Sequence, residues 1–199
     1  MCITRAALRQ RHRVILVHGP VSDNISKMMP ASSRLKRIAV RSAAQMHQVM
    51  MKWAPKANVV VMNAAVADFT PVALSHVKLK KAEQGLILRL KPTVDILNEL
   101  GALKTRLRNL ILIGFALETG AGTSANARRA ARLAEANRKL HAKNLDAIVL
   151  DTPAAMGADK ADFTMLLSNG RMRQFKRVSK VDFARHVVAL GVELFYDPL

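Results

Sequence analysis

Short apolar runs of β type alternate with stretches of helical periodicity along this chain, a pattern that predicts an α/β sheet. Residues 14–17 (Val-Ile-Leu-Val) suit a buried strand closed by Gly19-Pro20, and residues 38–40 form a short second strand. Ser42 is placed to cap a helix, with Gln45 three residues on, a capping-box spacing. Met46, Val49, Met50 and Trp53 fall on one side of that helix, which stops before Pro55. Its methionines are most simply core filling. Residues 59–62 form the next strand, and residues 86–90 alternate as a strand behind a turn at Gly85. Asp95 opens a helix through Leu100, and the apolar run 110–113 is a strand ending at Gly114. Ser124 caps a long helix to about Lys143, with Ala127, Ala130, Ala131, Leu133, Ala134 and Leu140 as packing positions. Arg128, Arg129, Arg132 and Arg138 decorate the rest of it. Residues 147–150 form another strand. Runs 163–167 and 172–175 flank Asn169-Gly170, a strong hairpin signal. Ser179 caps a last helix with Asp182 in its first turn, and Phe183, Val187, Leu190 and Leu194 recur at helical spacing.

The 199 residues fit one domain, residues 1–199, with ample length for a core. Half are hydrophobic and 23% are charged, a globular composition. No apolar run approaches the roughly 18–20 residues that a membrane-spanning helix needs. The start, MCITRAALRQRHR, is basic without an apolar core, so it is not a secretory signal. Cys2 is the only cysteine, which excludes an intrachain disulfide and a cysteine-based metal site and suits a reducing cytoplasm. His18, His47, His76 and His141 show no metal-ligand spacing, and no catalytic triad is suggested.

Charge changes the picture. A net charge of +18, from 32 Lys+Arg against 14 Asp+Glu, points to an anionic partner without saying which. Nucleic acid meets that criterion, but aromatics are only 4%, against a base-stacking single-strand binder. No helix-turn-helix, RNA-recognition or zinc-finger pattern is visible. Small phosphorylated substrates match the charge equally well.

The stretch 59–81, VVVMNAAVADFTPVALSHVKLKK, concentrates candidate chemistry. A strand runs into a loop of small residues with one acid, Asp68, and then a segment bearing Lys78, Lys80 and Lys81. Ligands of α/β folds gather at the carboxyl ends of strands. Lysines neutralise phosphate, and a carboxylate holds a metal or a sugar hydroxyl. A solvated loop with scattered lysines explains the same spacing, and on spacing alone it is slightly the better account.

The motifs shift that balance. NAAVADFTP (residues 63–71) followed by KLKK (78–81) resembles the signature of the phosphopantothenate–cysteine ligase family, the ligase half of a bifunctional flavoprotein that also carries a decarboxylase. HRVILVHGPVS (12–22) is similar to its strand-then-GPVS element. VDIL (94–97) resembles its PDIL, and GFALET (114–119) its GFAAET. Arg138-Lys139-Leu140, then Lys143-Asn144-Leu145-Asp146, resembles its KL, K and LD pattern. The likeness runs over roughly residues 6–185. The family normally opens with a strand, a GGT-type loop and a run resembling NRSSGKMG. The alignment here begins after that glycine-rich segment, so the chain reads as N-terminally truncated relative to the family. That segment includes the asparagine needed to turn over the acyl intermediate. Val94 stands for the proline of PDIL, and Leu150-Asp151 for Asn-Asp.

The resemblance implies a Rossmann-like three-layer sandwich with a mostly parallel sheet, a lysine-bearing flap and a C-terminal β-hairpin. It implies CTP as substrate with Mg2+, phosphopantothenate and cysteine as the other substrates, a homodimer, and a fused or separate decarboxylase. A nucleotide-binding relative without turnover is the first alternative; a basic nucleic-acid-binding protein is the less favoured one. Lys78 matches the first lysine of the family's KIKK and would reach phosphates as the catalytic residue; a solvent-facing strand lysine is the plain alternative. Lys80 and Lys81 are weaker candidates, because strand neighbours alternate. Asp68 would contact the nucleotide, or else cap its own loop. Ala64 and Ala65 would let the ligand approach backbone, and Asp95 and Ile96 belong to the nucleotide site by their motif. Phe115 would pack on the base, and a core phenylalanine is nearly as good a reading. Lys139 and Lys143, four apart, would grip phosphates from one helix face, although a solvated face is common in so basic a chain. Gly120-Ala121-Gly122 resembles a phosphate-binding turn, but a flexible loop is the better reading. Glu118 and Thr119 receive no role, and no residue is assigned to a resident metal.

Overall fold

The computed structural model describes every residue except 74, 76, 79–84, 108, 118–120, 122 and 152–156. The described chain runs α1 (Cys2–Arg9), β1 (Val14–His18), α2 (Asp23–Lys27), β2 (Leu35–Ala39), α3 (Ala43–Trp53), a 3-10 turn, β3 (Val59–Met62), β4 (Phe69–Pro71) and β5 (Leu90–Pro92). It continues through α4 (Ile96–Lys104), β6 (Ile111–Leu117), α5 (Ala125–Ala142), β7 (Ala147–Asp151), β8 (Lys160–Leu167), β9 (Met172–Ser179) and α6 (Lys180–Tyr196).

Five strands form the central sheet in the order β3-β6-β7-β8-β9. β3, β6 and β7 are parallel, as helical crossovers require, and β8 and β9 add an antiparallel hairpin at one edge. β1 and β2 pair in parallel with each other, and β4 with β5 in antiparallel. The antiparallel pairs are thus β4–β5, β7–β8 and β8–β9, and the helix-linked pairs are parallel.

Alternation along the strands sorts the core into two layers. Val60, Met62, Leu112, Ile148 and Leu150 face a cluster with Met46 of α3, Leu100 of α4 and Leu140 of α5. Ile111, Ile113, Ala147, Val149 and Met165 face Phe183, Val187, Leu190 and Leu194 of α6. α1 lies outside α6, packing Ala6 on Ala184 and Val188. The result is the three-layer α/β/α arrangement expected.

All four anticipated caps are present. The side chains of Ser42, Asp95, Ser124 and Ser179 accept the N–H of Gln45, Asn98, Ala127 and Asp182, respectively. Each such bond satisfies one of the orphan donors at a helix start. Gln45 reaches back to the N–H of Arg41, at 2.7 Å, one residue outside the usual box partner. The Asn169-Gly170 hairpin is also in place: Gly170 has φ 82°, and its N–H donates to Leu167 C=O at 3.0 Å.

Three expectations need correction. Residues 86–90 do not form a strand; only Leu90 joins β5, and Leu86, Ile87 and Leu88 are exposed. Their alternation mimics a strand without a face to bury. The second strand is shifted earlier, to Leu35–Ala39, where it can match Val14–His18 residue for residue. The strand expected at 110–113 runs past Gly114 to Leu117, and helices α1 and α2 were not anticipated.

Candidate active site

β6 and β7 end level, with Leu117 opposite Asp151, whereas β3 ends earlier, with Met62 opposite Gly114. The chain leaving β3 forms an irregular loop in which Ala64 and Ala65 are exposed and Val66 N–H donates to Ala64 C=O at 3.1 Å. Small side chains there leave the loop backbone uncovered. Asp68 follows, exposed, at the entrance to β4.

A connected set of contacts then joins several predicted residues. The Asp68 C=O accepts the Thr93 N–H at 2.8 Å, closing the base of the β4–β5 ribbon. Two residues beyond Thr93, Asp95 caps α4 through Oδ1 to Asn98 N–H at 3.0 Å. Its other oxygen, Oδ2, meets Lys143 Nζ at 2.7 Å. Partial burial works against ionisation of Asp95. The Lys143 hydrogen bond, the helix N–H groups and the Lys143 charge outweigh it, so the carboxyl titrates below its ordinary value. The Asp68 backbone and the Asp95–Lys143 pair are therefore tied to the same short segment around Thr93, while the Asp68 carboxylate takes no part in these bonds.

Thr93 was not singled out in the sequence. Its Oγ1 is buried and has no hydrogen-bond partner. Buried hydroxyls are normally satisfied, so an orphan between Asp68 and Asp95 marks a place where a ligand atom or water can bind. The one available signal was its position just before the VDIL motif.

Other predicted residues fall elsewhere. Ile96 is 3% exposed and belongs to the core under α4, so its side chain packs, and only its backbone can face a ligand. Phe115 is half-buried on the opposite face of the sheet and packs in the cluster that contacts α6. Lys139 and Lys143 do not act as a pair: Lys139 Nζ lies 3.7 Å from Glu135, whereas Lys143 caps the helix end and holds Asp95. Lys78 is exposed between β4 and β5 and has no hydrogen bond or ion pair with described residues. Lys80, Lys81, Glu118, Thr119, Gly120 and Gly122 lie outside the described residues.

Among the described residues, no group of three or more His, Cys, Asp or Glu side chains could hold a metal ion. Nor is any described helix long and apolar enough to cross a membrane.

Residues 1–194 match the family described as the DNA/pantothenate metabolism flavoprotein C-terminal domain, a longer match than the motifs alone outlined. The Coenzyme A biosynthesis bifunctional protein CoaBC of Bacillus subtilis is 37% identical over 190 residues, covering 94% of this chain and 42% of that protein. A protein named Cysteine/Cysteine sulfinic acid decarboxylase, from an unknown prokaryotic organism, is 32% identical over 94% of this chain and 49% of its own length. The chain thus spans less than half the length of these curated relatives. The crystal structure of the C-terminal domain of a Coenzyme A biosynthesis bifunctional protein CoaBC superposes with a TM-score of 0.74 at 27% identity, covering 98% of this chain and 82% of that one. The fold described above is accordingly shared with that domain, and this chain belongs to the DNA/pantothenate metabolism flavoprotein C-terminal domain family.

Proposed function

We propose that this chain is a phosphopantothenate–cysteine ligase domain acting in coenzyme A biosynthesis with CTP. The observation that carries the reading is the linkage of Asp68, Thr93, Asp95 and Lys143 at one end of the sheet, with three of the four on family motifs. The kinship with a coenzyme A biosynthesis protein supports the same reading.

In the proposed reaction the carboxylate of phosphopantothenate attacks the α-phosphate of CTP. Pyrophosphate leaves and an acyl-cytidylate forms. The amine of cysteine then attacks the acyl carbon, forming the amide and releasing CMP. Lys78, exposed between β4 and β5, supplies positive charge to the phosphates as charge redistributes. Lys143 is partly neutralised by Asp95, so it acts as a brace for the Asp95 cap more than as a free phosphate ligand. The open backbone at Ala64 and Ala65 lets the nucleotide approach, and Asp68 and the Thr93 hydroxyl offer an acceptor and a donor to its polar groups.

Magnesium fits this arrangement as a companion of the triphosphate. Magnesium is commonly bound by one or two carboxylates plus phosphates and water, and does not require a dedicated protein cage. Asp68 is the exposed carboxylate beside the proposed nucleotide approach, and the ion would offset triphosphate charge.

A homodimer belongs to the proposal. Phe69, Val72, Val77 and Ile87 on and beside the flap are exposed, Ile87 by 91%, an apolar surface that a second copy would cover. A cytoplasmic location and a decarboxylase partner, fused or separate, complete the reading.

The test is pyrophosphate release from CTP, phosphopantothenate and magnesium, with and without cysteine. Release that requires phosphopantothenate, with amide formed once cysteine is added, is the expected result. Lys78→Ala should lower turnover by about 100-fold or more while leaving the melting temperature unchanged, because Lys78 has no hydrogen bond or ion pair among the described residues. Folded protein that binds CTP but releases no pyrophosphate would leave a nucleotide-binding relative in place of an active ligase.

A further inference from the structure

A second cationic site lies away from the flap. Between α5 and the β8–β9 hairpin is a cleft of about 460 Å³, within the size range of small-molecule sites. Arg129 and Arg132 of α5 line one wall, and Lys160, Lys176 and Arg177 of the hairpin base line the other. None of the five has an ion-pair partner among the described residues. Two carboxylates also line the cleft: Asp151, and Asp162, which accepts the Arg177 N–H at 2.7 Å. Five cations therefore share the cleft with two acids, an excess of positive charge that favours an anion.

The hairpin is shaped to produce this. Successive residues of a regular strand point to opposite faces, so Lys176 and Arg177 would not both line one cleft. The register of β8 and β9 shifts between Ala161 and Phe163, and Arg177 sits at φ 49°, in the left-handed region that arginine rarely adopts. The Asp162 carboxylate holds the displaced Arg177 N–H. This is a β-bulge, a device that re-aims side chains. A bulge that strains an arginine and turns it into a cationic cleft is a built feature.

We propose that this cleft is a binding site for a ligand bearing two or more linked phosphate groups, separate from the flap site. Three of its five cations are arginines, whose planar forks match phosphate oxygens in pairs. A single phosphate would leave much of the charge unanswered. Nucleic acid fits less well: Phe163 is buried, and Phe175 is engaged with Phe183 and His186, so neither ring is available for base stacking. The inference does not depend on ligase activity.

Calorimetric titration of the full chain with inorganic tripolyphosphate tests the site. Saturable binding is expected, weakened at least 10-fold by Arg132→Gln and by Arg177→Gly but not by Lys27→Gln, an exposed lysine of α2 outside both sites. Arg177→Gly is informative because glycine accepts the positive φ without strain. The variant should melt at or above the parent temperature, so its loss of binding cannot come from misfolding. Unchanged affinity in Arg132→Gln and Arg177→Gly, or an equal loss in Lys27→Gln, would overturn the proposal. So would tighter binding of a single-stranded oligonucleotide than of tripolyphosphate at equal ionic strength. Because the readout is binding without turnover, its failure is distinguishable from failure of the ligase assignment.

Discussion

Lys143 and Asp95, 48 positions apart, meet at 2.7 Å across the junction of α5 and α4. The contact fastens the end of one helix to the start of another, and Asp95 is simultaneously the N-cap of α4. Both side chains are partly exposed, so the pair gains only modestly from Coulomb attraction, and its worth lies in geometry.

The two roles of Asp95 can be separated by substitution. Asp95→Asn keeps a capping oxygen and loses the charge, whereas Asp95→Ala loses both. The alanine variant should be destabilised by about 1 kcal/mol, and the asparagine variant by less than half of that. Thermal melts of the two variants beside Lys143→Met decide the matter. An asparagine variant as unstable as the alanine one would mean that the ion pair outweighs the cap.

Acid should weaken this junction. The Asp95 carboxyl titrates below its ordinary value of 3.8 in the folded chain, so its contribution to stability is fully present above that value. The contribution is lost as pH falls through the lower, folded value. Glu135 behaves in the same sense: the Arg138 hydrogen bond is the leading cause of a fall from 4.5 to about 2, and its contribution fades over that interval. Denaturant midpoints measured from pH 6 to pH 2 should therefore fall less steeply in Asp95→Asn than in the parent. Parallel curves would show that Asp95 does not take part in the acid limb.

Helix starts are legible in the order of residues because Ser42, Asp95, Ser124 and Ser179 carry their signal in one side chain acting on a backbone group three residues away. The strand at residues 59–62 is legible because β-branched residues packed on both faces leave an unbroken apolar run. Residues 86–90 mislead for the converse reason: alternation reports a face, and here no partner layer receives it. The site is legible as motifs but not as geometry. Nothing local to Asp95 or Lys143 says that they bind each other, and the burial of Ile96 depends on how α4 packs. The shift of the second strand depends on its pairing with β1, a long-range fact.

Gly101 shows how closely α4 approaches the chain after α5. A Cβ placed there would lie 2.0 Å from the Lys143 C=O oxygen, a backbone atom with little room to retreat. The Asn144 side chain also donates to the Gly101 C=O at 3.1 Å, so the two segments cannot separate without losing that bond. Gly101→Ala, which in a solvated helix would stabilise, should here destabilise by about 3 kcal/mol through overpacking. It should also displace Lys143 from Asp95. A melting temperature at or above that of the parent would show that the helix can shift without cost.

Thr93 offers a test that separates stability from binding. Its buried Oγ1 has no partner, so the folded chain already bears the cost of desolvating that hydroxyl. Replacing it with the isosteric Val removes the orphan and keeps the shape, which should leave the ligand-free protein unchanged or more stable by about 1 kcal/mol. If the hydroxyl serves the nucleotide, the same substitution should weaken CTP binding roughly 10-fold, the cost of one lost hydrogen bond of about 1.4 kcal/mol. Thr93→Ser, which keeps the hydroxyl, should retain the affinity. Melting curves and CTP titrations on the three proteins give the answer together. A valine variant that is destabilised in the absence of ligand would mean that the hydroxyl is satisfied by water. One that binds CTP as tightly as the parent would remove Thr93 from the site and leave Asp68 and Lys78 to carry it.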